Sequence, residues 1–186
     1  MDLQTLTREG EAAWLRLKNH LELSDAFALC FIFSAHSQVV ELFRRRLAEI
    51  YRARFIGVQG FRKEVVLKVI LENLSQKKEF TDMMIQEARI AANLNHPHIS
   101  QIFELGLVED RYYISMEYVE GYDLHQFISR VRERGMNVTD PLAAYIIAKI
   151  CDALQYAYFG ARDHSGTPLK IIHRDVSPPN ILVSRD

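Results

Sequence analysis

Cysteine is nearly absent: Cys30 and Cys151 are the only two in 186 residues. They lie far apart, and neither has a partner at metal-ligand spacing. That excludes a disulfide-stapled scaffold and a cysteine zinc site. Both sit in apolar surroundings, so two buried thiols in a reducing compartment are expected. Proline occurs five times and glycine eight, and they form no linker or low-complexity stretch. Long hydrophobic runs are also missing. The longest, Phe27 to Phe33, is about a third of the roughly 20 residues that a membrane span needs. It lies too deep, and lacks a basic leader, for a signal peptide. A cytoplasmic chain with no membrane span is the expectation. Charge imbalance is lacking as well: 23 Lys and Arg face 24 Asp and Glu, for a formal net charge of -1. No global field recruits nucleic acid or an acidic membrane, and the basic run Arg44 to Arg46 reads as a solvated helix face.

What is present is an ordinary globular composition, with 48% hydrophobic and 25% charged residues. The length suits one domain with a real core. The first stretch reads as helix, strand, helix. Trp14, Leu17 and Leu21 fall at helical spacing, Phe27 to Phe33 is strand-like, and Val39, Val40, Phe43 and Leu47 again share a helical face. From about Ala48 the texture changes. Ile50 to Phe55 alternates with arginines, Gly57 to Gly60 is turn chemistry, and Val65 to Ile70 is β-branched and apolar with one lysine inside. Phe80 to Leu94 has helical periodicity and ends at His96-Pro97. Strands are expected at Ile99 to Leu105 and Tyr112 to Tyr118, joined by a Glu109-Asp110 turn. Leu124 to Arg134 and Pro141 to Phe159 read as helices, the second with Asp140 as N-cap and Pro141 at its first position. Ser165 to Pro168 is a loop. Ile171-Ile172 and Ile181 to Val183 are expected as short buried strands. The order is α+β, with a small sheet-rich part followed by a helical part.

Three groups of residues carry chemistry. Lys68 lies in the middle of an apolar strand, where an unpaired ammonium is costly. Alone it also fits a lysine snorkelling from an edge strand. Glu87, on the following helix in line with Met83 and Ile90, is its natural partner, with Glu72 and Glu79 as competitors. Asp175 and Asn180 stand in a proline-containing loop between apolar segments. An aspartate can orient a hydroxyl and take its proton, and an asparagine carbonyl can ligate a hard Mg²⁺ ion. Phosphoryl transfer needs just such positioning and charge neutralisation.

Together these residues resemble the protein kinase family. In chain order, Val65-Val66-Leu67-Lys68 looks like the nucleotide-lysine strand and Glu87 like the glutamate of the next helix. Leu94-Asn95-His96-Pro97-His98-Ile99 resembles the link to the following strand. Met116 to Gly121 looks like gatekeeper and hinge, and His173-Arg174-Asp175 with Asn180 is similar to the catalytic loop. The resemblance spans roughly residues 48 to 186. It implies a kinase-like fold: a small N-lobe over residues 47–119, then the first helices and catalytic loop of a helical C-lobe over 120–186. Residues 1–46 form a leader outside it. It implies ATP and Mg²⁺ as cofactors and a protein hydroxyl as substrate. Lys68 would contact the α and β phosphates and pair with Glu87. Backbone groups of Glu117, Tyr118 and Val119 would meet the adenine edge beside Met116. Ile50, Val66 and Leu182 would enclose the adenine ring. Asp175, within His173-Arg174-Asp175, would orient the hydroxyl, and Asn180 would hold Mg²⁺. Pro178 is like the Ser/Thr-specific loop, and Val-Ser-Pro-Pro-Asn is similar to bacterial Ser/Thr kinases.

Three departures accompany the match. Counting back from Ile50, the phosphate-loop glycines should fall at Phe43, Arg45 and Ala48, and none is glycine. Ser177 stands where Ser/Thr kinases usually carry lysine, as it does in bacterial relatives. The chain reaches Asp186 before an Asp-Phe-Gly metal ligand, an activation loop or later C-lobe helices. The expectation is therefore a Ser/Thr kinase by descent with weak or absent turnover, and exposed apolar C-lobe surface through which it associates. The alternatives are a non-catalytic, pseudokinase-like interaction module, a gene fragment, or a leader that is a separate fused module. A small-molecule phosphotransferase is disfavoured by Arg174, which suits reading a phosphorylated activation loop.

Overall fold

The computed structural model describes residues 29–31, 48–56 and 58–185. The helical spacings expected over Trp14 to Leu21 and Val39 to Leu47, and the positions Phe43 and Arg45, lie outside the described residues. The short strand β1 (Leu29–Phe31) falls within the expected strand-like run. It is followed by β2 (Ala48–Ile56) and β3 (Arg62–Ile70), then α1 (Glu72–Ser75) and α2 (Lys78–Ala91). Strands β4 (Ile102–Val108) and β5 (Arg111–Glu117) form a hairpin, and β6 (Gly121–Asp123) leads into α3 (Leu124–Glu133) and α4 (Asp140–Gln155). A π turn (Tyr156–Gly160), a 3-10 turn (Pro178–Asn180) and β7 (Ile181–Ser184) complete the order.

Four strands make one antiparallel sheet in the order β2-β3-β5-β4, and three make another in the order β1-β7-β6. The β2–β3 connection uses Gln59 (φ 53) and Gly60 (φ 81). The β4–β5 loop is two residues, Glu109 (φ 47) and Asp110 (φ 61). Two successive positive φ values give a hairpin turn whose twist matches the strands. Gly121 is required by contact: a Cβ there would lie 1.9 Å from the Val183 carbonyl oxygen. The close pairing of β6 with β7 depends on it.

Helix α2 buries Phe80, Met84, Ala88 and Ala91, one stripe at helical spacing. Its upper part joins Ile70, Ile114 and Met116 of the four-stranded sheet in one core. Its end, with Leu94 and Ile99 of the linker, joins a second core built from Phe127, Val131, Leu142, Ile146 and Ala153 of α3 and α4 and Ile181 and Val183 of β7. Ile102 packs against both cores. Asp123 caps α3, its Oδ1 accepting from the Gln126 N–H at 2.7 Å.

Several expectations need correction. The N-cap of α4 is Thr139, with Asp140 already helical. Pro141 therefore takes the second helical position, still within the first turn, where no intrahelical N–H bond is lost. The helix from Phe80 ends at Ala91, and β4 begins at Ile102 rather than Ile99, because residues 92–101 turn to dock on α4. Ile171-Ile172 forms no strand, and Ile172 is 60% exposed. Ile171 instead donates its N–H to the Ala157 carbonyl, so no sheet partner is available to it. Cys151 is exposed, not buried. It lies one residue beyond Ile150, and that step of about 100° carries it off the buried stripe of α4.

The linker is held by two histidines. The His96 ring stacks on Tyr156 at 5.0 Å, and its Nε2 lies 3.4 Å from Asp152 Oδ2. The His98 N–H donates to His96 Nδ1 at 3.2 Å. Burial pushes the His98 imidazole below its ordinary 6.5, with Lys149 and His96 adding to the shift and Asp152 opposing it. The folded chain thus takes up this proton at lower pH than the unfolded chain. Between the two values the unfolded state binds more protons, so stability falls as pH drops through about 6.5. The expected result is a melting temperature that declines from about pH 7.5 to about pH 5.5, with a shallower decline in His98→Gln. An identical slope in both chains would refute this assignment.

Candidate active site

Strand β3 is internal, flanked by β2 and β5, so Lys68 is not snorkelling from an edge. Residues two apart on a strand share a face, so Val66, Lys68 and Ile70 all point toward α2. There Lys68 Nζ meets Glu87 Oε1 at 2.5 Å. The glutamate side chain is 6% exposed and the lysine 19%. Neither competitor is buried: Glu72 lies in α1 and Glu79 in the first turn of α2, and both are exposed.

The sheet register brings the expected apolar residues onto this same face. Ile50 of β2 lies opposite Lys68, and Val66 opposite Met116. Directly opposed residues share a face. Met116 is buried, whereas Ile50 is 63% exposed on the inner side of the sheet. The Glu117 N–H donates to the Gln101 carbonyl at 2.8 Å, and its carboxylate accepts from the Gln101 N–H at 3.2 Å. This N–H is thus already committed. Val119 is half-buried where the chain leaves β5 for the second sheet.

On β7, Leu182 is half-buried and opposes Asp123 of β6 and Cys30 of β1. It therefore belongs to the three-stranded sheet, while Val66 and Ile50 belong to the other. Residues 118–120 cross between the two sheets.

The loop before β7 is built around a buried histidine. His173 is buried, and its Nδ1 accepts from the Asp175 N–H at 3.2 Å. Arg174 between them has φ 65, a left-handed conformation that costs a non-glycine residue roughly 1–2 kcal/mol. Asp175, the next residue, is exposed. The 3-10 turn over Pro178–Asn180 then brings Asn180 back. Its Nδ2 donates to Asp175 Oδ2 at 2.8 Å and to the Asp175 carbonyl at 3.1 Å. The amide nitrogen is committed to Asp175, so the amide oxygen is the arm turned to other partners.

These residues fit a magnesium nucleotide in part. The Lys68–Glu87 pair offers a held ammonium for phosphate oxygens, and the Asn180 amide offers one hard oxygen to Mg²⁺. Among the described residues no group of three His, Cys, Asp or Glu side chains could hold a metal. Ala48, the third expected glycine position, is the first residue of β2.

One constellation escaped the sequence reading. Arg52 and Arg54 share the inner face of β2, and both guanidiniums bind Glu64, at 2.9 and 2.7 Å. Arg54, then Arg52, hold the Glu64 carboxyl below its usual range. The Arg52 guanidinium also lies 4.4 Å from the Tyr118 ring centroid. The sequence signal was partial: two-residue spacing puts Arg52 on the same face as Ile50, while its position opposite Val66 comes from the register.

A protein kinase domain pattern matches residues 55–186. The chain belongs to the protein kinase family. It is 36% identical over 138 residues to the tyrosine-protein kinase MasK of Myxococcus xanthus, covering 74% of this chain and 21% of that protein. It is 33% identical over 141 residues to the serine/threonine-protein kinase PrkC of Bacillus subtilis, covering 74% and 19%. Among solved structures it resembles the PknI kinase domain of Mycobacterium tuberculosis. The two align with a TM-score of 0.55 and 28% identity, covering 78% of this chain and 53% of that one. The chain thus spans about a fifth of these curated relatives. The kinase-like α+β fold and the resemblance to bacterial kinases are borne out.

Removing the cation from a buried carboxylate is expensive. Lys68→Met is expected to lose on the order of 3 kcal/mol of stability, measured by denaturant unfolding. The double variant Lys68→Met/Glu87→Leu is expected to recover part of it, because the buried carboxylate is then removed together with its cation. Equal losses in the single and double variants would show that the carboxylate is not the source.

Proposed function

We propose that this chain forms the nucleotide-binding part of a protein kinase that transfers the ATP γ-phosphoryl group to a protein hydroxyl. The observation that carries this is the Lys68–Glu87 pair at 2.5 Å, on the face that also bears Ile50, Val66 and Met116. In this reading Glu87 holds the Lys68 ammonium against the α and β phosphates. Ile50 and Val66 cover one side of the adenine and Leu182 the other, and the Val119 backbone meets its edge beside Met116. Asp175 accepts a hydrogen bond from the substrate hydroxyl and orients it, with His173 and Arg174 shaping the loop that presents it. Asn180 supplies an oxygen to Mg²⁺. Bound Mg·ATP supplies the phosphoryl group itself, so the protein contributes positioning and charge.

Specificity for serine and threonine is inferred from Pro178 and from the serine/threonine kinases PrkC and PknH among the relatives. MasK is named a tyrosine kinase, so phosphoamino-acid analysis decides this point. Among the described residues no helix is long and apolar enough to cross a membrane. Cytoplasmic action is part of the proposal, since the reaction consumes ATP. The residues before 47 are read as a leader distinct from the N-lobe. Ile147, Phe159, Ile172 and Val176 are exposed large hydrophobics. They favour a second role, association with other protein surface through the helical part.

The test is calorimetry with Mg·ATP. The unaltered chain is expected to bind, and Lys68→Met, checked by circular dichroism to be folded, is expected to bind at least about tenfold more weakly. Absence of binding by both chains would discard the nucleotide reading and leave the association role.

A further inference from the structure

Among the described residues, strand β2 lies at the edge of the four-stranded sheet and is hydrogen-bonded to β3 alone. Edge strands fray unless something ties them down. Beyond its ion pairs to Glu64 of β3, two side-chain contacts tie this one to β5 and the stretch after it. At one end Arg111 Nη2 donates to Glu49 Oε2 at 3.1 Å while also donating to the Ile70 carbonyl at 2.8 Å. Three residues on, the Arg52 guanidinium stacks on Tyr118. The first contact fastens β2 to β5, and the second fastens it to the hinge stretch just past β5. Ile50, the exposed inner-face residue, lies between them.

The Arg52 contact is built rather than incidental. Glu64 Oε2 accepts from Arg52 Nε at 2.9 Å, which fixes the plane of the guanidinium. Its Cζ then lies over the Tyr118 ring, 4.4 Å from the centroid, within reach of the attraction between a cation and an aromatic quadrupole. The register places Arg52 opposite Val66, and Val66 opposite Met116. The clasp therefore lies at the rung of the sheet where the adenine is read to sit. Glu64 is shared with Arg54, whose guanidinium makes no ring contact among the described residues.

We propose that Arg52, held by Glu64 and stacked on Tyr118, is a positioning residue that clasps β2 to the hinge and so sets Ile50 over the nucleotide. This rests on the nucleotide reading above. Arg52 acts through Ile50 and the hinge and forms no bond to phosphate. The clasp forms the outer wall of the adenine end of the site.

The experiment is a double-mutant cycle on Mg·ATP affinity, measured by calorimetry on the full chain, with melting temperature recorded alongside. Arg52→Ala and Tyr118→Leu are each expected to weaken binding by about three- to fivefold. Their combination is expected to be no weaker than the stronger single variant, because both remove one contact. Arg52→Lys, which keeps the cation, is expected to recover part of the loss. Arg54→Ala breaks the neighbouring bond to Glu64 and is expected to leave affinity unchanged. Losses that multiply in the double variant, or an equal loss in Arg54→Ala, would overturn the clasp and point to general fraying of β2. Unchanged affinity in Arg52→Ala would overturn the inference alone. No binding by the unaltered chain would remove the nucleotide reading, and the inference with it.

Discussion

The pairing of Lys68 with Glu87 is the constraint around which the upper half of the molecule is arranged. A carboxylate this buried is costly unless it is paired, and here Lys68 brings its ammonium from a strand inside the sheet. That requirement fixes two things together. It sets the rotation of α2, because Glu87 must face β3 while Phe80, Met84 and Ala88 fill the core beside it. It also sets which face of β3 is the inner one, and the antiparallel register carries that choice to Ile50, Arg52 and Met116. The apolar and charged parts of the site follow from one ion pair.

The two cores are not independent bodies joined by a string. Helix α2 begins in the upper core and ends in the lower one, and Ile102 touches both. The linker between them docks on the end of α4 through His96, which meets Asp152 and stacks on Tyr156 of the π turn that follows. Any tilt of α2 therefore moves Glu87 relative to the lower core. The ion pair, the linker and the second sheet are mechanically coupled through packed side chains.

Much of this was legible in the chain. Strand β3 and helix α2 announce themselves by β-branched residues and a clean helical stripe, and Lys68 inside an apolar run demands a buried partner. Asp175 and Asn180 were legible because their motif spacing is short and local. The failures have physical causes. Ile171 and Ile172 look like a strand, yet the Ile171 N–H is claimed by the Ala157 carbonyl, a tertiary effect that local pattern does not show. Cys151 sits in apolar surroundings along the chain but off the buried stripe of its helix. Thr139 rather than Asp140 takes the N-cap position of α4, with no side-chain capping bond, so the two neighbours differ by one residue of backbone and local pattern does not separate them. The Arg52–Tyr118 contact joins residues far apart in sequence, and only the sheet register brings them together.

Gly121 carries a consequence beyond its own close contact. Val183 leaves room at that point for a hydrogen atom and nothing more. A one-residue slip of β6 along β7 would bring Glu120 or Tyr122 to the same place, and either side chain would strike the Val183 carbonyl. A slip would also turn Tyr122, in the strand that moves, to the opposite face of its sheet. The missing methyl thus acts as a registration mark. It permits one alignment of the two strands, and with it one height for the floor of the site relative to its roof.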